Sequence, residues 1–119
     1  MAKTDTLFVR KQCGEHCIAL EDAENLFKQL TILLEAGENV TLDFEGVETI
    51  ASSFLNVAMG RLVGIFKPEF LKQNLKWTGV DDVDNQLIAL VMRNAKEHYG
   101  QDAQSRMQRD KIVKTLSEG

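Results

Sequence analysis

Apolar and polar positions along the chain change period several times, and each change predicts an element. Over residues 6–12 (TLFVRKQ), Leu7 and Val9 alternate with Phe8 and Arg10, the period of a strand. Gly14 follows as a turn signal. Residues 17–20 (CIAL) are too few for periodicity to decide between a short strand and the lead into a helix. From about residue 22 to 36 the apolar positions are Ala23, Leu26, Phe27, Leu30, Leu33 and Leu34, at spacings of three and four, which predicts an amphipathic helix. Glu21, Asp22 and Glu24 stand in its first turn, where carboxylates complement the helix dipole. Gly37 lies just past its end, as a helix-terminating glycine does.

The pattern returns to period two over residues 39–44, where Val40, Leu42 and Phe44 alternate with Thr41 and Asp43. Gly46 breaks this run, and a turn over 45–51 leads to a second predicted helix, 52 to about 66. Its apolar stripe is Leu55, Ala58, Met59, Leu62 and Phe66, and Ser52 and Ser53 fall where an N-cap is expected. Gly60 and Gly64 share another face. Glycine within a helix costs about 1 kcal/mol against alanine, so the pair implies close approach of a neighbouring element. Pro68, the chain's one proline, suits the start of a short helix over 68–73. Residues 75–78 (LKWT) predict a strand ended by Gly79. A third long helix over 82–98 presents Val83, Leu87, Leu90, Val91 and Ala95, and Gly100 closes it. Residues 101–119 are mostly polar, with Met107, Ile112, Val113 and Leu116 as packing residues, and predict a terminal helix or tail.

Alternating strands and helices predict an α/β domain with a mixed, mostly parallel sheet of about four strands, one antiparallel pair coming from an early strand joined by a short turn. A chain of 119 residues is one domain, with its core over about 6–98, and is long enough to bury roughly 65–70% of its unfolded surface. The apolar fraction of 44% and charged fraction of 27% are those of a soluble globular protein. A net charge of −4 argues against nucleic acid as a partner. No apolar run approaches the roughly 20 residues of a membrane helix, and residues 1–10 lack the apolar core of a signal peptide, so a cytoplasmic protein is expected. Cys13 and Cys17 do not make a disulfide framework and are expected as thiols.

Candidate chemistry gathers after the second clear strand. Ser52 and Ser53 at a helix start could hold an anion, including a covalently attached phosphate, or serve only as caps. Asp43 lies at the carboxyl end of its strand, where open α/β sheets place ligand sites, or it caps the turn. Glu45 and Glu48 flank it without forming a defined acid–base pair. Cys13, His16 and Cys17 (CGEHC) offer three ligands where structural zinc takes four, so no metal and no cofactor is expected. Arg61, Lys67 and Lys72 could form a small basic surface. Trp77 and Phe54 are either exposed anchors or core. No nucleophile–base constellation is visible, and an enzyme is not expected.

The stretch VTLDFEGVETIASSFLNVAMGRLVG (residues 40–64) resembles the STAS-like family, a bacterial group described as a domain of unknown function. The resemblance is carried by Asp43, Phe44, Gly46, Val47, Ser53 and Phe54. That family is related to the STAS domains of anti-sigma-factor antagonists, whose second serine at this turn is phosphorylated by a partner kinase. Ser53 matches that serine, and Leu55 and the Gly60-Arg61 pair keep the antagonist spacing. Ala51 stands where the antagonists carry aspartate, and Phe54 where they carry glycine, which places a bulky ring next to Ser53. The resemblance implies a non-enzymatic, regulatory protein–protein interaction domain. Its candidate phosphorylation sites are Ser53 and Ser52, and its candidate partner or anion surface is Asp43, Glu45, Ser52, Ser53, Phe54 and Arg61. The implied partner is a histidine-kinase-like ATPase or a serine kinase. The alternative it leaves open is a module that binds a small anion or a nucleotide.

Overall fold

The computed structural model describes residues 4–98. Strand β1 (Thr4–Phe8) runs into a single helical turn, α1 (Val9–Cys13), where the alternating pattern predicted strand as far as Gln12. Val9, the first residue of the turn, is wholly buried, and Gly14, at φ +82°, ends the turn with its N–H on the Arg10 carbonyl at 2.8 Å. The two-residue strand β2 (His16–Cys17) leads to helix α2 (Leu20–Glu35). Ala23, Leu26, Leu30 and Leu34 are its buried stripe, while Phe27 and Leu33 pack against the core from its flanks. Gly37, at φ +81°, donates to the Leu34 carbonyl and terminates α2 as predicted.

Strand β3 (Asn39–Asp43) is the centre of the main sheet, with Val40 and Leu42 buried. A second two-residue strand, β4 (Thr49–Ile50), lies inside the segment predicted as turn; two residues carry no period, so only its distant partner reveals it. Helix α3 (Ser52–Ala58) is followed by a 3-10 turn (Gly60–Gly64), then α4 (Pro68–Asn74), β5 (Leu75–Thr78) and α5 (82–98). The predicted second helix is therefore broken at Met59. Gly60 lies in the space between this segment and α5: a β-carbon on it would sit 3.6 Å from the Ala95 β-carbon and 3.7 Å from Val91 Cγ1. This is the close approach the glycine implied. Gly64 is exposed.

All strand pairs among the described residues are parallel. β1 and β5 flank β3, placing Leu7, Leu42 and Trp77 abreast, and β2 pairs with β4 as a separate two-stranded sheet. The α/β class stands, but one mixed sheet of about four strands becomes parallel sheets of three and two. The predicted antiparallel pair does not occur among the described residues. Each pair of neighbouring strands is joined through helical segments, and such crossovers return the chain in the same direction.

The inward face of α5 is also turned from the expected one. Ile88, Val91 and Ala95 are buried and Leu87 and Met92 pack against the core, whereas Val83 is 74% and Leu90 41% exposed. Helices close over a core of Phe44, Phe54, Leu26, Leu42, Leu55 and Leu62, and among the described residues no polar or charged residue is fully buried. No helix among them is long and apolar enough to cross a membrane. The predicted cap at Gly100 and the predicted element over 101–119 lie outside the described residues.

Candidate functional site

The turn that leaves β3 is built from its first residue onward. The Phe44 amide donates to the Thr78 carbonyl at 2.9 Å, carrying the sheet one residue past β3. Asp43 then accepts the Glu45 amide on Oδ1 at 2.9 Å, the turn-capping role weighed for it. Val47 donates back to the Phe44 carbonyl at 2.9 Å, and Gly46 between them holds φ +86°.

The returning chain is stitched to the segment around β2. Glu48 and Thr49 both donate to the Glu15 carbonyl, at 2.7 and 3.1 Å, and Ala51 donates to the Cys17 carbonyl at 3.0 Å. This seam keeps Ala51 extended, at φ −85° and ψ 142°, and makes it the N-cap of α3. Leu55 accordingly bonds to the Ala51 carbonyl at 3.1 Å. Ser52 and Ser53 are therefore the first two helical residues and not caps, and no side chain caps α3. Both serines are exposed.

Phe54 is wholly buried, which removes it from any candidate surface. The ring next to Ser53 in sequence is turned into the core, because helical geometry sends successive side chains about 100° apart. Asp43 is half-buried and engaged with the turn; Glu45, Glu48, Ser52 and Ser53 are exposed. Arg61 belongs to another contact. Its guanidinium pairs with Glu24 at 3.0 Å and lies 5.1 Å from the centre of the Phe27 ring, tying the 3-10 turn to α2. Trp77 is half-buried, and its indole N–H donates to Asn85 Oδ1 at 2.9 Å.

The CGEHC residues do not converge. His16 and Cys17 alternate on β2, so one faces solvent and the other is sealed in the core. Cys13 and Cys17 meet each other instead, as free thiols. The Cys17 thiol hydrogen-bonds to Cys13 and holds the Cys13 thiol below its ordinary range, against the opposing effects of burial and the Asp22 charge. The same bond, with burial, pushes Cys17 far up.

Pattern reading missed the exposed group Glu15, His16 and Glu48, whose ligand atoms lie within 4.8 Å of one another. His16 Nδ1 is 3.0 Å from Thr49 Oγ1, and Glu15 is already paired with Arg10 at 3.1 Å. These donors could hold a divalent ion only in competition with that pair. No local signal marks the group, since β2–β4 pairing joins positions 33 apart in sequence.

A family model described as "STAS-like domain of unknown function (DUF4325)" matches residues 22–85, more than half of the chain. The match runs from the first turn of α2 through β3, the serine turn, α3, α4 and β5 to the start of α5. No curated protein and no solved structure matches the chain.

Proposed function

The chain belongs to this STAS-like domain family, and from that premise we propose that it is a non-enzymatic regulatory module acting by reversible protein–protein contact, with Ser53, and secondarily Ser52, as the point of control. The observation that carries this reading is the freedom of the two serines. They open α3 in exposed positions, while the capping role that would account for them falls to Ala51. Phe54, turned inward, leaves the Ser53 hydroxyl uncrowded by its own neighbour. Neither hydroxyl bonds to a base among the described residues, as a nucleophile would need.

Phosphorylation would add about −1.5 to −2 charge at the start of a helix, which tolerates it within the domain. A partner surface docked on the same turn would meet that charge directly. The switch is then bound when bare and released when modified. The partner class that the family resemblance suggests is a histidine-kinase-like ATPase or a serine kinase, in the cytoplasm, where free Cys13 and Cys17 are at home. The small-anion alternative has less behind it, since α3 spans seven residues and no glycine-rich phosphate loop precedes it.

The test is a pull-down from the native host with wild type, Ser53→Ala and Ser53→Asp. The switch predicts a protein partner retained by Ser53→Ala and lost by Ser53→Asp, with a phosphate visible in the intact mass of the wild type. Equal retention of every partner by both variants would remove Ser53 from control.

A further inference from the structure

A groove of about 400 Å³ opens where the 3-10 turn, α4, β5 and α5 meet. Its floor is apolar: Leu71 and Leu75 are buried, and Trp77 and Met92 are half-buried beside them. Three cations stand around it, Lys72 from α4 and Arg93 and Lys96 from α5, all exposed. None has a carboxylate within ion-pair distance among the described residues, where the ion pairs are Arg10–Glu15 and Arg61–Glu24. In a chain of net charge −4, three cations around one apolar floor, without an acidic partner among the described residues, form a local reversal of sign. The groove shares no lining residue with the serine turn.

We propose that this groove binds a small amphiphilic anion, an apolar body ending in one carboxylate or phosphate group. Two features support that chemistry. The volume lies within the roughly 300–1,000 Å³ of small-molecule sites, which combine apolar walls with a few placed polar groups. The cations supply charge-assisted contacts to a single anionic head, while their aliphatic stems extend the apolar wall. This site lies beyond the proposed switch and does not depend on it.

The chain's single tryptophan, Trp77, lines the groove and reports its occupancy. Decanoate, titrated below its aggregation concentration, is expected to change Trp77 emission saturably and to raise the melting temperature. Decanol, equal in chain length and uncharged, should bind about tenfold or more weakly, as should decanoate to the Lys72→Gln/Arg93→Gln/Lys96→Gln variant. The decanoate–decanol comparison uses the wild-type chain, so it decides the matter even if the triple substitution unfolds the protein. A non-saturable response, or equal binding of decanol, overturns the proposal. So does saturation by an acidic amphipathic peptide where decanoate gives none, since the groove would then be a protein seat.

Discussion

Gly79 lies directly against the backbone of Glu45: a β-carbon built on Gly79 would come within 2.5 Å of the Glu45 nitrogen and 2.8 Å of Asp43 Oδ1. The glycine that ends β5 thus leaves room for the Asp43–Glu45 hydrogen bond that starts the serine turn. It also holds φ +79°, which costs a side-chain-bearing residue about 1–2 kcal/mol before any clash. Gly79→Ala is expected to destabilise the chain by about 2 kcal/mol or more. Gly37→Ala has a similar φ but open space, and should cost only about 1 kcal/mol. Urea denaturation of the two variants measures the difference, and equal losses would show that the contact with Glu45 is immaterial.

Ser53→Ala should change stability by less than about 0.5 kcal/mol, because the serine does not cap α3. A capping serine would cost about 1 kcal/mol. Its neighbour behaves oppositely: Phe54→Ala empties a fully buried site and should cost about 3–5 kcal/mol. Thermal melts of both variants test this contrast between adjacent residues.

The two thiols should separate in alkylation. Cys13, partly accessible and shifted down by the Cys17 hydrogen bond, exposes a thiolate at lower pH than an ordinary thiol near 8.5. Cys17, buried and shifted up, stays protonated and unreacted in the native state. Cys17→Ala removes the donor, so the Cys13 pKa rises and its iodoacetamide reaction at pH 7.5 slows. Peptide mapping by mass spectrometry reads both sites. Faster labelling of Cys13 in that variant would contradict the assignment of the hydrogen bond.

Arg61→Ala should cost less than about 1 kcal/mol. Both members of its pair with Glu24 are about half exposed, so solvent screens the attraction, and the contact with the Phe27 ring adds a similarly small amount. A loss above about 2 kcal/mol in urea denaturation would mean that Arg61 anchors the 3-10 turn more firmly than its exposure implies.

The sequence makes the long elements legible because their burial is periodic within one segment. Ala23 to Leu34 mark α2, and Val40 and Leu42 mark β3, without reference to any other part of the chain. The two-residue strands are invisible for the opposite reason. His16–Cys17 and Thr49–Ile50 exist only as each other's partners, and nothing local records that pairing. Two errors follow from this. Without the seam, Ser52 and Ser53 look like the cap, although the seam fixes Ala51 in that place. Without the third dimension, Val83 and Leu90 look as inward as Val91, although Ile88 occupies the centre of the packed face. At the candidate site, the turn-capping of Asp43 is legible from its strand-end position, while the Glu15–His16–Glu48 group is not.

The seam also gives the serine turn a history. Residues 22–85 contain the turn but not the Glu15 and Cys17 carbonyls that receive the Glu48, Thr49 and Ala51 amides, nor the β1 edge that covers β3. Contacts between distant positions form only after the entropy of closing the intervening loop is overcome. The serine turn is therefore complete only once two segments about thirty residues apart have paired. Expressed alone, residues 22–85 should show little cooperative unfolding by circular dichroism. The turn has its native form only in molecules whose first and middle segments have already met.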